Sequence, residues 1–106
     1  MSRRIGMTQM LIVLYKQPDD PAKFEEYYQK KHLPLAARAL KGLIASQETA
    51  RVLGNETYYR VTVIRLPEGK TVEELMKSEG MTTVLADLKN FVAEGGSEAL
   101  ACQSDG

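Results

Sequence analysis

The chain has 106 residues, and its 14 lysines and arginines equal its 14 aspartates and glutamates, so its formal net charge is zero. Such a balance gives no long-range pull toward nucleic acid or anionic lipid. The length suits one domain spanning 1–106, which buries roughly 65% of its unfolded surface and needs no metal or cross-link to hold a core.

Cys102 is the only cysteine, so an internal disulfide is excluded and a reducing, cytoplasmic setting is expected. Arg3 and Arg4 precede an apolar run that is too short to span a bilayer and lacks a small-residue cleavage site. Residues 1–7 and 104–106 read as loose termini.

Met10 to Tyr15 is apolar at every position and reads as a first strand buried on both faces. One small domain covers only one sheet face with its own helices, so a second copy is expected over the other; the alternative is a central strand with a locally thick core. Asp20-Pro21 supplies an N-cap acceptor and a proline at the first helical position. Phe24, Tyr27, Tyr28, Lys31 and His32 mark the inner stripe of that helix, with Glu25, Glu26, Gln29 and Lys30 outside. Pro34 disfavours helical geometry at Leu33, which predicts a stop or kink there. A short helix resumes over Leu35 to Leu40.

Leu43 to Leu53 alternates in an edge-like strand, and Gly54-Asn55 turns it into a third strand over Thr57 to Leu66. Alternation sorts Tyr59, Val61 and Val63 onto a core face, and Tyr58, Arg60, Thr62 and Ile64 onto the other, which reads equally as a polar-studded cavity wall or a solvated sheet face. Thr71 and Glu74 have capping-box spacing. The helix they open carries Leu75, Met76, Met81, Val84, Leu85 and Leu88, with a break at Ser78-Glu79-Gly80. Asn90 to Ser97 reads as a loop, and Glu98 to Gln103 as the last strand.

The order strand, helix, strand, strand, helix, strand predicts an α+β fold, a ferredoxin-like βαββαβ plait. It has a four-stranded antiparallel sheet with two helices on one face. The bare face predicts a homodimer.

The sequence holds no phosphate loop, dinucleotide fingerprint or metal-ligand spacing. Its single histidine, His32, lies four residues after Tyr28 and so shares its helix face. An imidazole suits proton transfer near neutrality, and it equally suits a structural place at a helix end. A pairing of Cys102 with His32 is chemically conceivable, though a lone cysteine more often fills a core.

Several motifs in order carry a resemblance. They are Leu14-Tyr15-Lys16, Asp20-Pro21-Ala22-Lys23-Phe24, Tyr27-Tyr28, His32-Leu33-Pro34-Leu35-Ala36 and Gly42-Leu43. Together they resemble the EthD family, named for a protein of ethyl tert-butyl ether degradation and part of the dimeric α+β barrels. The second half matches in element order, length and the Tyr58-Tyr59-Arg60 start of its third strand. Glu94-Gly95-Gly96 departs from the family's more regular lead into the last strand.

The resemblance implies two sheets closed into a barrel around a small-molecule cavity, with His32 in the position of interest. It further implies oxidative degradation beside a cytochrome P450 system or dehydration of aromatic polyketides. Relatives in the wider superfamily include cofactor-free monooxygenases, cyclases, lactone isomerases and haem-degrading enzymes. Fold does not fix function among these.

The expected cavity lies near the end of the first helix, lined by Tyr15, Tyr28, His32, Tyr58, Arg60 and Thr62. His32 would move the proton, Arg60 would anchor a developing oxyanion, and the tyrosines would clamp a flat ligand. One reading is a cofactor-free oxidoreductase, dehydratase or cyclase acting on a small apolar or aromatic compound. The other is a binding or accessory protein with the same pocket and no chemistry, favoured by the lack of a visible carboxylate partner for His32. Haem ligation by His32 is a third reading, against which stand the missing tryptophan and second ligand motif.

Overall fold

The all-apolar stretch forms the centre of the sheet. In the computed structural model, which describes residues 8–105, β1 (Gln9–Lys16) is flanked on both sides. It pairs antiparallel with β3 (Tyr58–Arg65) and β4 (Ser97–Gln103), and β2 (Ser46–Arg51) adds to the outer side of β3. The four-stranded order is β2-β3-β1-β4, and all helices pack on one face, giving the ferredoxin-like α+β plait that the element order predicts. Residues 1–7 and 106, expected as loose termini, lie outside the described residues. Ser104 donates its N–H to the Thr8 carbonyl at 2.8 Å, so the ladder continues past β4.

Register decides which side chains meet the helices. Leu11, Val13 and Tyr15 stand opposite Ile64, Thr62 and Arg60 on the inner face. Ile12 and Leu14 stand opposite Val63 and Val61 on the outer face, where Leu100 is 51% exposed. Between Tyr15 and Lys16 the register slips: Tyr15 faces Arg60, whereas Lys16 faces Tyr58, leaving Tyr59 as an extra residue. A bulge of this kind re-aims side chains. Tyr59 and Arg60 both turn inward, and Tyr58 turns outward to donate to Glu98 at 2.8 Å. The expected faces of β3 are corrected accordingly: Tyr59, Arg60, Thr62 and Ile64 face the helices, and Tyr58, Val61 and Val63 do not.

The first helix does not stop before Pro34. Asp20 Oδ1 accepts from the Lys23 N–H at 3.1 Å and opens α1 (Pro21–Tyr27). A π turn over Tyr28–His32 follows, closed by the Leu33 N–H on the Tyr28 carbonyl, and runs directly into α2 (Leu33–Ala39). Leu33 is helical (φ −61°, ψ −46°) despite the proline after it. Pro34 falls at the second position of α2, in the first turn of the resumed α ladder, where a missing N–H costs least. His32 therefore sits inside a continuous helical run and not at a helix end.

The capping box at Thr71 and Glu74 forms as expected and opens α3 (Val72–Met76). The break falls at Lys77-Ser78, overlapping the expected Ser78-Glu79-Gly80 at its first residue. Ser78 Oγ accepts from the Met81 N–H at 3.1 Å and caps α4 (Glu79–Asp87). Gly80 lies within α4, and a Cβ there would run into the Ala39 carbonyl at the end of α2. The glycine permits that close crossing. A 3-10 turn (Leu88–Asn90) and a loop then lead to β4.

Two clusters fill the space between sheet and helices. One is aliphatic, built from Leu11, Ile64, Leu66, Leu40, Met81 and Val84. The other is aromatic, built from Tyr15, Phe24, Tyr28 and Tyr59 with Phe91 against it. Tyr15 meets Phe24 and Tyr28 edge-on at 5.5 and 5.6 Å, the geometry that adds about 0.5–1.5 kcal/mol per pair beyond burial. The candidate site lies where the two clusters meet. Among the described residues no helix is long and apolar enough to cross a membrane.

Candidate functional site

His32 closes the π turn and is 3% exposed. Its ring packs against Tyr28 (5.7 Å, stacked) and Phe91 (4.6 Å). Nδ1–H donates to Asp87 Oδ2 at 2.9 Å, and Asp87 is the last residue of α4. The other oxygen, Oδ1, accepts from the Tyr27 hydroxyl at 2.7 Å and from Asn90 Nδ2 at 2.9 Å. Burial pushes the Asp87 carboxyl up, but the hydrogen bonds from His32, Tyr27 and Asn90 outweigh it and hold its pKa below the ordinary aspartate value. The group is thus a carboxylate, which fixes the proton of the neutral imidazole on Nδ1 and leaves the Nε2 lone pair free.

That lone pair has no protein partner. Among the described residues, no fully buried side-chain nitrogen or oxygen lacks a hydrogen bond. Nε2, which makes none, must therefore keep some accessible surface. His32 lines a cavity of about 140 Å³ between the sheet and helices α2 and α4. The same reasoning applies to the Tyr15 hydroxyl, which lines the same cavity without a bonded partner. Burial first, and Tyr28 second, push the Tyr15 pKa far above the usual tyrosine value, with Arg60 pulling weakly the other way. Tyr15 is thus a permanent donor. The remaining wall is largely apolar, with Leu11, Val13 and Ile64 from the sheet and Met81, Val84 and Leu88 from the helices. A dry apolar cavity of ~150 Å³ takes up one benzene, so this one accommodates a single ring.

The sequence-predicted residues divide. Tyr15, Tyr28, His32 and Thr62 are brought together on the cavity wall. Arg60 is buried but does not line it. Its Nη2 and Nε donate to Glu25 Oε1 at 2.6 and 3.1 Å, and its Nη1 to Thr49 Oγ1 at 3.0 Å. A guanidinium so occupied is not an oxyanion anchor. Tyr58 is on the opposite face of the sheet, turned there by the bulge. Cys102 also lies on that outer face, paired with Met10, so no thiolate pair with His32 forms.

Glu25, expected outside, turns inward. Burial pushes its pKa up, but hydrogen bonds from Arg60, Gln29 and Tyr59 outweigh it and hold the group below the ordinary glutamate value. Thr49 completes the set, sharing hydrogen bonds with the Tyr28 hydroxyl (3.0 Å) and Thr62 (3.3 Å). Asp87 and Phe91 were the other residues not singled out from sequence. Asp87 carried a signal, because it follows Val84 by three and so falls on the buried stripe of α4. An inward carboxylate requires a donor. Phe91 carried none, being a lone aromatic in a loop.

Among the described residues no group of three His, Cys, Asp or Glu side chains is placed to hold a metal. A cavity sized for one ring does not admit a porphyrin beside His32, so the residues do not fit haem.

No family model matches the sequence, and no curated protein does. Solved structures share the ferredoxin-like α+β fold, and one of them is a member of the family that the sequence motifs resemble. An ethyl tert-butyl ether degradation (EthD) family protein from Bacillus halodurans matches with a TM-score of 0.78 at 19% identity, over 92% of this chain and 98% of that one. A dimeric ferredoxin-like protein of unknown function from Thermobifida fusca matches at 0.61 and 16%, over 93% and 91%. SnoaB, a cofactor-independent oxygenase from Streptomyces nogalater, matches at 0.59 and 12%, over 94% of each chain. At these identities the likeness is one of fold.

Proposed function

We propose that this chain is an acid–base catalyst that works without a cofactor on a small apolar compound, cyclic or aromatic. One observation carries the reading: a buried imidazole with Nδ1 locked on a carboxylate and Nε2 open to an apolar cavity. Nε2 takes a proton from an acidified C–H or O–H of the ligand. Asp87 stabilises the imidazolium that results. The Tyr15 hydroxyl donates to the ligand oxygen on which charge develops. A positioned base of this kind contributes ~10²–10⁴-fold in rate.

The ligand anion then loses water, a lyase outcome, or reacts with dioxygen, an oxygenase outcome. For a methylene the second balances without a further reductant, as CH₂ + O₂ → C=O + H₂O. The cofactor-independent oxygenase among the structural neighbours supports that branch.

The working form in this reading is a cytoplasmic homodimer. Ile12, Leu14, Val61, Val63 and Leu100 share the uncovered sheet face, and a dimeric neighbour has the same fold. An obligate interface there should bury roughly 2,000 Å² or more, and light scattering on dilute protein should read twice the chain mass. A folded monomer at micromolar concentration would overturn it.

Catalysis is tested by screening cyclic ketones and phenols for thermal stabilisation, expected at about 2.7 kcal/mol for a ligand at 100 times its Kd. Hits are then followed for proton–deuterium exchange at carbon in D₂O. The expected result is exchange with the native protein and its loss in His32→Ala. Binding without exchange by any hit would make this a binding or accessory protein instead.

A further inference from the structure

A second space opens at the surface beside the cavity, a groove of about 630 Å³ between the β1–α1 connection, α1 and the segment before β4. Its walls include Phe24, Tyr27, Phe91 and Val92, with Lys23 and Lys31 at its edge. No residue lines both spaces. What separates them is a layer of rings. Phe91 lines the groove, and its ring centroid lies 4.6 Å from His32, 6.0 Å from Tyr28 and 6.1 Å from Tyr15. Those three side chains line the cavity. Tyr27 stacks on Phe91 from the groove side at 5.2 Å.

Phe24 also belongs to this layer, but it is buried and fixed within α1. Phe91 is only half-buried and stands on the loop after the 3-10 turn. That loop is tied at its start by the Phe91 and Val92 N–H groups to the Leu88 carbonyl (3.0 and 2.7 Å). At its end the Lys16 N–H donates to the Gly96 carbonyl at 2.8 Å. Its middle, Ala93 to Gly95, is exposed. Of the rings that touch the cavity wall from the groove side, Phe91 is the one carried by a loop and not by a helix.

We propose that Phe91 is the specificity-determining residue that sets ligand size at the His32 cavity. With its ring in place the cavity holds one ring. With the ring removed, cavity and groove join into one site within the ~300–1,000 Å³ of pockets that hold drug-sized ligands. The ligand class then widens to fused aromatics, with the hydroxyl end at His32 and the second ring against Tyr27. This rests on the cavity being the ligand site proposed above.

The test titrates phenol and 2-naphthol into the native protein, Phe91→Ala and Phe91→Leu by calorimetry, while the His32 ring signals are followed by NMR. The native protein should bind phenol with a shift of His32, and 2-naphthol at least ~10-fold more weakly, about 1.4 kcal/mol. Phe91→Ala should reverse the preference, and Phe91→Leu should move it the same way by less. The leucine variant keeps an apolar side chain on the loop and serves if the alanine variant does not fold. An unchanged phenol-to-naphthol ratio in the variants, with His32 still responding to phenol, overturns the role of Phe91 and leaves the cavity reading standing. No response of His32 to either probe in any of the three proteins overturns both.

Discussion

Two polar clusters hang from the same helix one turn apart, and they are finished differently. Around Tyr28, the groups of Glu25, Arg60, Tyr59, Thr49 and Thr62 satisfy one another. Around His32, Asp87 receives three donors, yet the imidazole keeps one nitrogen unbonded. Leaving a polar atom unpaired in a low-dielectric interior costs about 1–3 kcal/mol, and a full pairing avoids that cost. The first cluster therefore accounts for itself as structure. The second leaves one imidazole nitrogen accessible from the cavity, which the fold alone does not require.

The difference can be broken or sharpened by substitution. His32→Ala should lower activity by ~10²–10⁴-fold while the protein still folds, with a stability change of about 0.5–3 kcal/mol. Melting temperature and ligand affinity on the same variant check this. A large loss of stability with unchanged intrinsic affinity would make the His32 cluster one more structural network.

Asp87→Asn should lower activity by ~10²-fold or more, because an amide can present its NH₂ to Nδ1 and favour the wrong tautomer. It also has a pH signature. The folded-state pKa of Asp87 is depressed, so its contribution to stability is present above the ordinary aspartate pKa and is lost as pH falls through the folded value. The gap in melting temperature between native protein and Asp87→Asn should therefore close as pH falls below about 4. A gap that stays constant down to the acid transition would show that the carboxylate is not what the site uses.

Glu25→Ala strands a guanidinium whose residue is 5% exposed. It should cost about 2 kcal/mol, less than the ~3–5 of a fully sealed pair because Glu25 itself is partly solvated. Adding Arg60→Met should recover part of the loss, which chemical denaturation of the double variant would measure. Tyr28→Phe is the mildest change. Thr49 and Thr62 keep each other at 3.3 Å, so it should cost about 1 kcal/mol and leave exchange rates on a bound ligand unaltered. A rate loss there would join the two clusters into one site.

Much of the scaffold is written in local signals. Asp20-Pro21, the Thr71–Glu74 box and the Gly54-Asn55 turn each act within four residues, and each does in the structure what its chemistry prescribes. The apolar run Met10 to Tyr15 likewise dictates a central strand. What stayed hidden is non-local. The β3 bulge exists only relative to β1, since one chain's alternation does not reveal a residue that its partner skips. It turned Tyr58 to the outer face and Tyr59 inward, into the aromatic cluster. Tyr15, Tyr28, His32 and Thr62, four of the six residues expected from sequence, do reach the cavity wall. The carboxylate that gives His32 its direction comes from 55 residues away, across the helix layer. Leu33-Pro34 misled for a related reason: the local preference of the pre-proline residue yields to a π turn that the packing on both sides maintains.

That turn also acts as a phase adapter. The buried positions Phe24, Tyr28, His32, Ala36 and Leu40 recur every four residues. In an uninterrupted α-helix, at about 100° per residue, four such steps overshoot by roughly 160° and would aim Leu40 nearly opposite Phe24. One inserted residue subtracts about 100°, and the remaining 60° or so fits inside a stripe ~100° wide. The extra residue lets one helical run serve the aromatic cluster with its first half and the aliphatic cluster with its second. Relaxing the turn to a plain α ladder with every residue kept would leave the later hydrogen bonds available while rotating His32 about 100° relative to Phe24. Deleting one exposed residue of the turn, Gln29 or Lys30, would instead keep the phase. In the relaxed form the imidazole would swing off Asp87 without the helix breaking, so the angular setting of the base is stored in the register of one hydrogen bond, from the Leu33 N–H to the Tyr28 carbonyl.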